Sequence, residues 1–316
     1  MGPMTNSVSK VLLAAPRGYC AGVDRAVEIV ERALRLHGAP VYVRKQIVHN
    51  ISVVRDLEAK GAVFVEELEE VPEGAVAILS AHGVAPEVYE QGRARSLRVV
   101  DATCPLVTKV HHEARRFARD GYHIVLIGHE GHEEVIGTMG EAPSSITLIG
   151  TPEEVAQLEL PADAPVAYLS QTTLSVDETN QVIDRLRERY PEIQGPPRED
   201  ICYATQNRQT AVKVLAEKAD VVLVIGSINS SNSNRLAEVA RARGARAYLI
   251  DDETEIDPAW LDGATAVGVT SGASAPEWLV ERVVGWFRAR GIDDVEEVRV
   301  VEESVHFGLP RELEDA

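Results

Sequence analysis

The feature that most constrains this chain is the matched placement of its three cysteines. Cys20 lies in VLLAAPRGYCAGVDRAVEIVERAL, Cys104 in LRVVDATCPLVTKVHHEARRFA and Cys202 in REDICYATQNRQTAVKVLAEKA. Each follows a short, partly apolar lead-in and opens a segment with apolar residues at helical spacing, as with Val23, Val27, Val30 and Leu34. Separations of 84 and 98 residues exclude a local CxxC ribbon. A helix N-terminus favours the thiolate, which is the metal-binding form. The economical arrangement is three similar α/β lobes, each lending one thiolate to a shared centre. Three soft ligands on a metal that normally takes four leave one position open for a substrate, which points to catalysis. Any one of these cysteines alone would be an ordinary buried small residue; the repeated context argues otherwise. An odd count, with no export signal in MGPMTNSVSK, argues against a disulfide framework.

A chain of 316 residues has room for two or three domains. Its formal charge of −18 excludes a general nucleic-acid surface and disfavours anionic membranes. The acidic runs EELEEVPE from Glu66 and DDVEEV from Asp293 read as solvated faces. Apolar runs such as VVLVI from Val221 are strand-sized, far short of a membrane span. The expected location is the cytoplasm, where thiols stay reduced.

Strand-like and helix-like segments alternate throughout, which gives an α/β class. Strands are expected from Val11, Pro40, Val76, His123, Val166, Val221, Arg246 and Ala266, and helices from Asp24, Val48, Thr108, Val176, Asn207, Asn234 and Pro276. Ser175 with Glu178, and Ser274 followed by Pro276 and Glu277, have the form of helix caps. A repeated plan of cysteine turn, helix, strand and polar loop sets the expected limits. These are lobe 1 over 10–101, lobe 2 over 102–196, lobe 3 over 197–291, and a C-terminal tail over 292–316.

The polar loops carry the remaining chemistry. His49 in QIVHN, His82 in SAHGV and His132 in GHEGHEEV fall at strand ends, where ligands bind in open α/β sheets. A histidine there can bind phosphate, bind metal or relay protons, although one alone is more often a capping residue. His37, His111, His112, His123 and His306 lack that context and read as structural or surface residues, and His129 is ambiguous. Ser230, Ser231 and Asn232 in SINSSNSNR, Ser274 in SGASAPEW and Thr172 in SQTTLS could form an anion site from neutral donors; ordinary N-capping is the competing reading. Neither a Walker A sequence nor a GxGxxG after a strand is present. Glu134 could deliver protons, with Glu130 and Glu133 as rivals that spacing does not separate.

Taken together, PRGYCAGVDRA, SAHGV, DATCPLVTKVH, GHEGHEEVIGTMG, SQTTLSVDET, DICYATQNRQ, GSINSSNSNRL and SGASAP resemble the 4-hydroxy-3-methylbut-2-enyl diphosphate reductase family, IspH or LytB, over about residues 10–282. Tyr19 and Ser271 stand where phenylalanine and alanine are common in that family, and Ile228 fills a variable position, none of them expected to do chemistry. The resemblance implies three α/β lobes in a pseudo-threefold trefoil around a central iron–sulfur cluster. It implies an iron–sulfur oxidoreductase of the methylerythritol phosphate isoprenoid pathway, which removes the allylic hydroxyl of (E)-4-hydroxy-3-methylbut-2-enyl diphosphate to give isopentenyl and dimethylallyl diphosphates. By the same resemblance, Cys20, Cys104 and Cys202 hold one 4Fe-4S cluster with one open iron, found as 3Fe-4S after iron loss. His49, His82, His132, Thr172, Ser230, Ser231, Asn232 and Ser274 would bind substrate. Glu134 would supply protons, with Thr172 and His132 in the catalytic group, and a ferredoxin or flavodoxin would supply electrons. A zinc- or thiol-dependent hydrolase built on Cys104 would instead be colourless with one dominant cysteine. A non-enzymatic iron–sulfur sensor would hold a cluster without turnover.

Overall fold

The computed structural model describes residues 8–160 and 165–313, which fall into two compact units. The first comprises Met1–Ala21, His49–Arg55 and Tyr203–His306. Its strands are β1 (Lys10–Ala15), β9 (Val221–Ile225), β10 (Arg246–Ile250), β11 (Ala266–Ser271) and β12 (Val295–Arg299). They form one all-parallel sheet in the order β10-β9-β11-β1-β12. β9 and β11 are buried along their whole length, as continuous apolar runs in a parallel sheet covered on both faces must be. Alternation sorts their side chains. Val221, Leu223 and Ile225 share a core with Leu279, Val283 and Phe287 of helix α9 (Glu277–Arg288). Val222 and Val224 pack with Val212 and Leu215 of α7 (Tyr203–Ala216) and Leu236 of α8 (Ser231–Ala242).

The second unit comprises Gly22–Val48, Asp56–Cys202 and Phe307–Ala316. It contains two smaller parallel sheets. One runs β3-β2-β4-β5, from β2 (Val41–Arg44), β3 (Ala62–Val65), β4 (Val76–Leu79) and β5 (Arg98–Asp101). The other runs β7-β6-β8, from β6 (His123–Ile127), β7 (Ile146–Ile149) and β8 (Val166–Ser170). Ile124, Leu126 and Leu169 pack with Val110 and Phe117 of α4 (Pro105–Arg119) and Val135 of α5 (Glu133–Glu141). Val125 and Ile127 pack with Val182 and Leu186 of α6 (Val176–Arg189). α3 (Pro86–Ala94) completes the set, and α1 (Ala21–His37) and α2 (Ile51–Ala59) continue from the first unit into the second. Among the described residues, no helix is long and apolar enough to cross a membrane.

Three parallel sheets carry the α/β class, but the sheets depart from the expected lobe limits at two strands. β1, placed by sequence in lobe 1 (10–101), pairs with β11. β12, placed in the tail (292–316), pairs with β1. VLLAA is apolar toward both faces and needs a central position, and closing a long connection adds little entropy cost once that position is buried. The charged VEEVR is suited to the sheet edge it takes. The stripe buried on α1 is also offset from Val23, Val27, Val30 and Leu34: it is Gly22, Ala26, Ile29, Val30 and Ala33, because small residues permit the closest approach. Beyond β12 the chain lies along α1, where Arg25 Nε donates to the Gly308 carbonyl at 2.7 Å and Leu313 is fully buried.

Candidate functional site

All three cysteines are thiols rather than half-cystines, and each is partly accessible. Each is also held in the same way, by its backbone N–H. Cys20 donates to the Ala273 carbonyl at 3.2 Å, Cys104 to Ala81 at 3.0 Å and Cys202 to Thr172 at 3.0 Å. The acceptors lie in SGASAP, SAHGV and SQTTLS, the polar loops that follow β11, β4 and β8. Every cysteine turn is therefore docked on a strand-end loop that the sequence marks as a candidate substrate contact. The helices follow at once: Cys104 is the N-cap residue of α4, and α1 and α7 begin one residue after Cys20 and Cys202.

In the second unit, the segment from Gly128 is not wholly a loop, because α5 starts at Glu133. His132 caps that helix, with its Nδ1 accepting the Glu134 N–H at 3.2 Å. Accepting there places any proton of the neutral ring on Nε2. The edge of one of the rings His82 and His132 faces the other, with centroids 5.9 Å apart. The helix start separates three carboxylates that spacing alone does not. Glu130 is exposed, and Glu133 points to Arg44 at 3.7 Å. Glu134 is only 2% exposed. Its Oε1 accepts the Thr172 N–H at 2.7 Å and its Oε2 accepts the Thr172 hydroxyl at 2.9 Å. Burial pushes the Glu134 carboxyl up to about 7; the Thr172 bonds oppose the rise and the Asp200 charge adds to it. A carboxyl so placed can hold a proton at neutral pH and pass it on.

In the first unit, the first turn of α8 lies between the ends of β9 and β11. A Cβ on Gly226 or on Gly272 would fall 2.1 Å from Ser233 Oγ, so only glycine allows this approach. Ser230 caps α8, accepting the Ser233 N–H at 3.3 Å, and Ser231 opens the helix. Asn232 is 5% exposed, yet neither its amide nitrogen nor its amide oxygen has a partner. A buried amide without partners costs about 1–3 kcal/mol, a cost that a bound ligand would remove. His49 lies nearby in the same unit, its Nδ1 3.5 Å from the Asn229 amide, and burial lowers its pKa to about 4. Its carbonyl accepts the Ser274 hydroxyl at 2.9 Å. Ser274 is therefore not the cap of α9, a position that Pro276 occupies without a side-chain bond. Ser175 does cap α6, accepting the Glu178 N–H.

The structure thus brings Glu134, Thr172, His132 and His82 together in one unit, and Ser230, Ser231, Asn232, His49 and Ser274 together in the other. Sequence reasoning missed Asp200. This carboxylate is 5% exposed, 3.0 Å from Lys109, and accepts the Ser170 N–H at 3.0 Å. Its position two residues before Cys202 is visible in the sequence, but its burial is not. Among the described residues, no three His, Cys, Asp or Glu side chains are grouped to hold a single metal ion.

The chain matches the family model described as LytB protein over residues 11–288. It is 64% identical over 305 residues to a 4-hydroxy-3-methylbut-2-enyl diphosphate reductase of Acidothermus cellulolyticus, covering 96% of this chain and 90% of the relative. Identity to the reductase of the same description from Streptomyces coelicolor is 61% over 315 residues, covering 99% and 93%. The solved structure of the E-1-hydroxy-2-methyl-but-2-enyl-4-diphosphate reductase from Plasmodium falciparum matches with a TM-score of 0.94 at 37% identity, over 97% of each chain. A second solved structure, (E)-4-hydroxy-3-methyl-but-2-enyl diphosphate reductase, described as the terminal enzyme of the non-mevalonate pathway, matches with a TM-score of 0.63 at 33% identity, over 89% of this chain and all of that one.

Proposed function

The chain belongs to the LytB family and reduces 4-hydroxy-3-methylbut-2-enyl diphosphate in the last step of the non-mevalonate pathway, and we propose that Glu134 is its proton source, with Cys20, Cys104 and Cys202 its metal ligands. The observation that carries this reading is the buried Glu134–Thr172 pair, a carboxyl able to hold its proton near neutral pH. Replacing an allylic hydroxyl by hydrogen consumes two electrons and two protons. One proton leaves in water and the other ends on carbon.

The donor set fits an iron–sulfur cluster. Three thiols, each fixed through its backbone and set at or just before a helix start, are soft ligands of the kind such a cluster takes. Cys20, Cys104 and Cys202 would hold the cluster, each through its thiolate. When bound, a 4Fe-4S cluster with three cysteine ligands supplies low-potential electrons and an open Lewis-acidic iron. The electrons would come from a ferredoxin or flavodoxin, and a reducing cytoplasm would preserve the thiols.

The residues of the chain do the rest. Oε1 of Glu134 is occupied by the Thr172 N–H, so an acidic proton resides on Oε2, facing the Thr172 hydroxyl. That hydroxyl donates to the carboxylate and accepts from the carboxylic acid. Reversing the bond turns the Thr172 hydrogen toward the substrate and passes one proton along the pair. His132, fixed by its cap bond to the Glu134 N–H, keeps any proton of its neutral ring on Nε2. For the diphosphate, the donors are His49, His82, His132, Ser230, Ser231, Asn232 and Ser274. A neutral His49 donates without bringing a buried charge. Closing the carboxyl off from water keeps its proton for the substrate.

Asn232→Ala is expected to weaken binding of the product diphosphate by about one to two decades, the roughly 1.5–3 kcal/mol of a hydrogen bond to a charged group. It is also expected to leave the ligand-free protein as stable as the parent or more so, because an unpartnered buried amide is removed. Calorimetric titration and thermal unfolding check the two halves. The function itself is tested by anaerobic turnover of the allylic diphosphate with a chemical reductant. Isopentenyl and dimethylallyl diphosphates are the expected products, and unchanged substrate would overturn the reading.

A further inference from the structure

The turn before Cys20 has neither helix nor strand bonds of its own, yet its unit holds it from several directions. Gly18, at φ 72°, donates its N–H to Ser271 Oγ at 2.8 Å, from a serine that is fully buried at the end of β11. Arg17 is paired to Glu277 at 2.7 Å. The Gly18 carbonyl accepts Arg208 Nη2 at 2.8 Å. Arg208, on α7, is fully buried. Its Nη1 reaches the Ala204 carbonyl at 3.0 Å and the two Glu303 oxygens at 3.1 and 3.3 Å. The Asn207 amide donates to Glu303 at 3.0 Å as well. Glu303 lies past β12, in the stretch that sequence analysis left without a role.

A guanidinium removed from water must be paired, and Glu303 is the carboxylate that pairs this one. We propose that Glu303 is a positioning residue for the metal centre: through buried Arg208 it fixes the Gly18 carbonyl, and with it the Cys20 turn. The proposal rests on the reading of Cys20 as a ligand. The turn needs such a device because a left-handed glycine loses more freedom on ordering than any other residue. Local bonds do not supply the compensation; a helix-borne side chain does. Without the Glu303 charge, the guanidinium gains by moving toward water and releases Gly18. The Gly18 carbonyl then loses its anchor, while Ser271 still holds the Gly18 N–H.

The test uses the full-length protein. Alkylation of each cysteine by iodoacetamide is followed by peptide mass spectrometry, in the metal-free form and after iron–sulfur reconstitution. The variants are Glu303→Gln and, as control, Glu302→Gln, whose side chain is exposed and pairs with Arg299. In metal-free Glu303→Gln, Cys20 is expected to react about tenfold faster than in the parent, the mark of local opening, while Cys104 and Cys202 stay within about twofold. Reconstituted Glu303→Gln is expected to release iron to a chelator faster than the parent, and Glu302→Gln to match the parent throughout. Should Glu303→Gln not fold, Glu303→Asp keeps the charge with a shorter reach and is expected to accelerate Cys20 alone, by less. An unchanged Cys20 rate, or equal acceleration of all three cysteines, would overturn the proposal. Reconstitution that fails to protect Cys20 in the parent would instead remove Cys20 as a ligand, and the proposal with it.

Discussion

Glu134→Gln is expected to fold, to hold the metal centre and to bind the diphosphate, while C–O cleavage falls by about 10²–10⁴-fold. Glutamine has the length to keep a contact with Thr172, but it has no acidic proton to give. The parent carboxyl sits in a buried site whose surroundings favour its neutral form, raising it to about 7. Activity of the parent should therefore decline as pH rises through about 7 and the carboxyl empties, whereas the residual activity of the glutamine variant should not follow that decline. The stability effect has a definite sign. With its pKa raised in the folded state, Glu134 costs stability as pH climbs from the ordinary carboxylate range toward 7, because the unfolded chain ionises first. Glutamine removes that cost, so the variant should unfold at the parental temperature or above it at pH 8. Glu130→Gln and Glu133→Gln serve as controls; one residue is exposed and the other faces Arg44, so both should lose far less activity. Single-turnover kinetics with prereduced protein separate this chemical defect from slow electron delivery. Parental cleavage by Glu134→Gln under those conditions would assign the proton to another group.

Serine at Cys20, Cys104 or Cys202 is expected to remove most of the iron and nearly all turnover, each as severely as the others. Equal severity is the informative part, because a thiol hydrolase would depend on one cysteine. Cys104→Ser gives the cleanest comparison. Cys104 is the N-cap residue of α4 and makes no side-chain cap bond there, while serine is among the best N-caps. That variant should keep or gain thermal stability in the metal-free state while losing iron. Iron content, colour and melting temperature measured on the same samples check this. A variant with full iron and normal turnover would not have lost a ligand.

The parts legible in the sequence are those in which local pattern and burial agree. VVLVI and AVGVTS read as strands because both faces are covered, and SVDE read as a cap because its serine and backbone are neighbours. The cysteine turns stood out because each precedes a helix. The strands β3, β5 and β7 are not marked by AVFV, RVVD and ITLI, which lie at sheet edges with partly exposed faces. β12 is hidden by its charges. α5 hid inside a glycine-rich stretch read as a loop. Only its start at Glu133 distinguishes a carboxylate facing Thr172 from one facing Arg44. Asp200 and Arg208 were illegible for a different reason. A charged residue is read as exposed by default, and its burial depends on partners distant in sequence, Lys109 for one and Glu303 for the other. The pairing of β1 with β11 has the same non-local origin.

The central claim is that three cysteines hold a cluster with one iron left for the substrate. Mössbauer spectroscopy of anaerobically purified protein, with iron and sulfide analysis, tests it most directly when spectra are taken with and without 4-hydroxy-3-methylbut-2-enyl diphosphate. The expected result is about four irons and four sulfides per chain, with one iron distinct from the other three and altered by substrate alone. Four equivalent irons unmoved by substrate, or a protein that binds the diphosphate and takes up no iron or sulfide on reconstitution, would contradict the account.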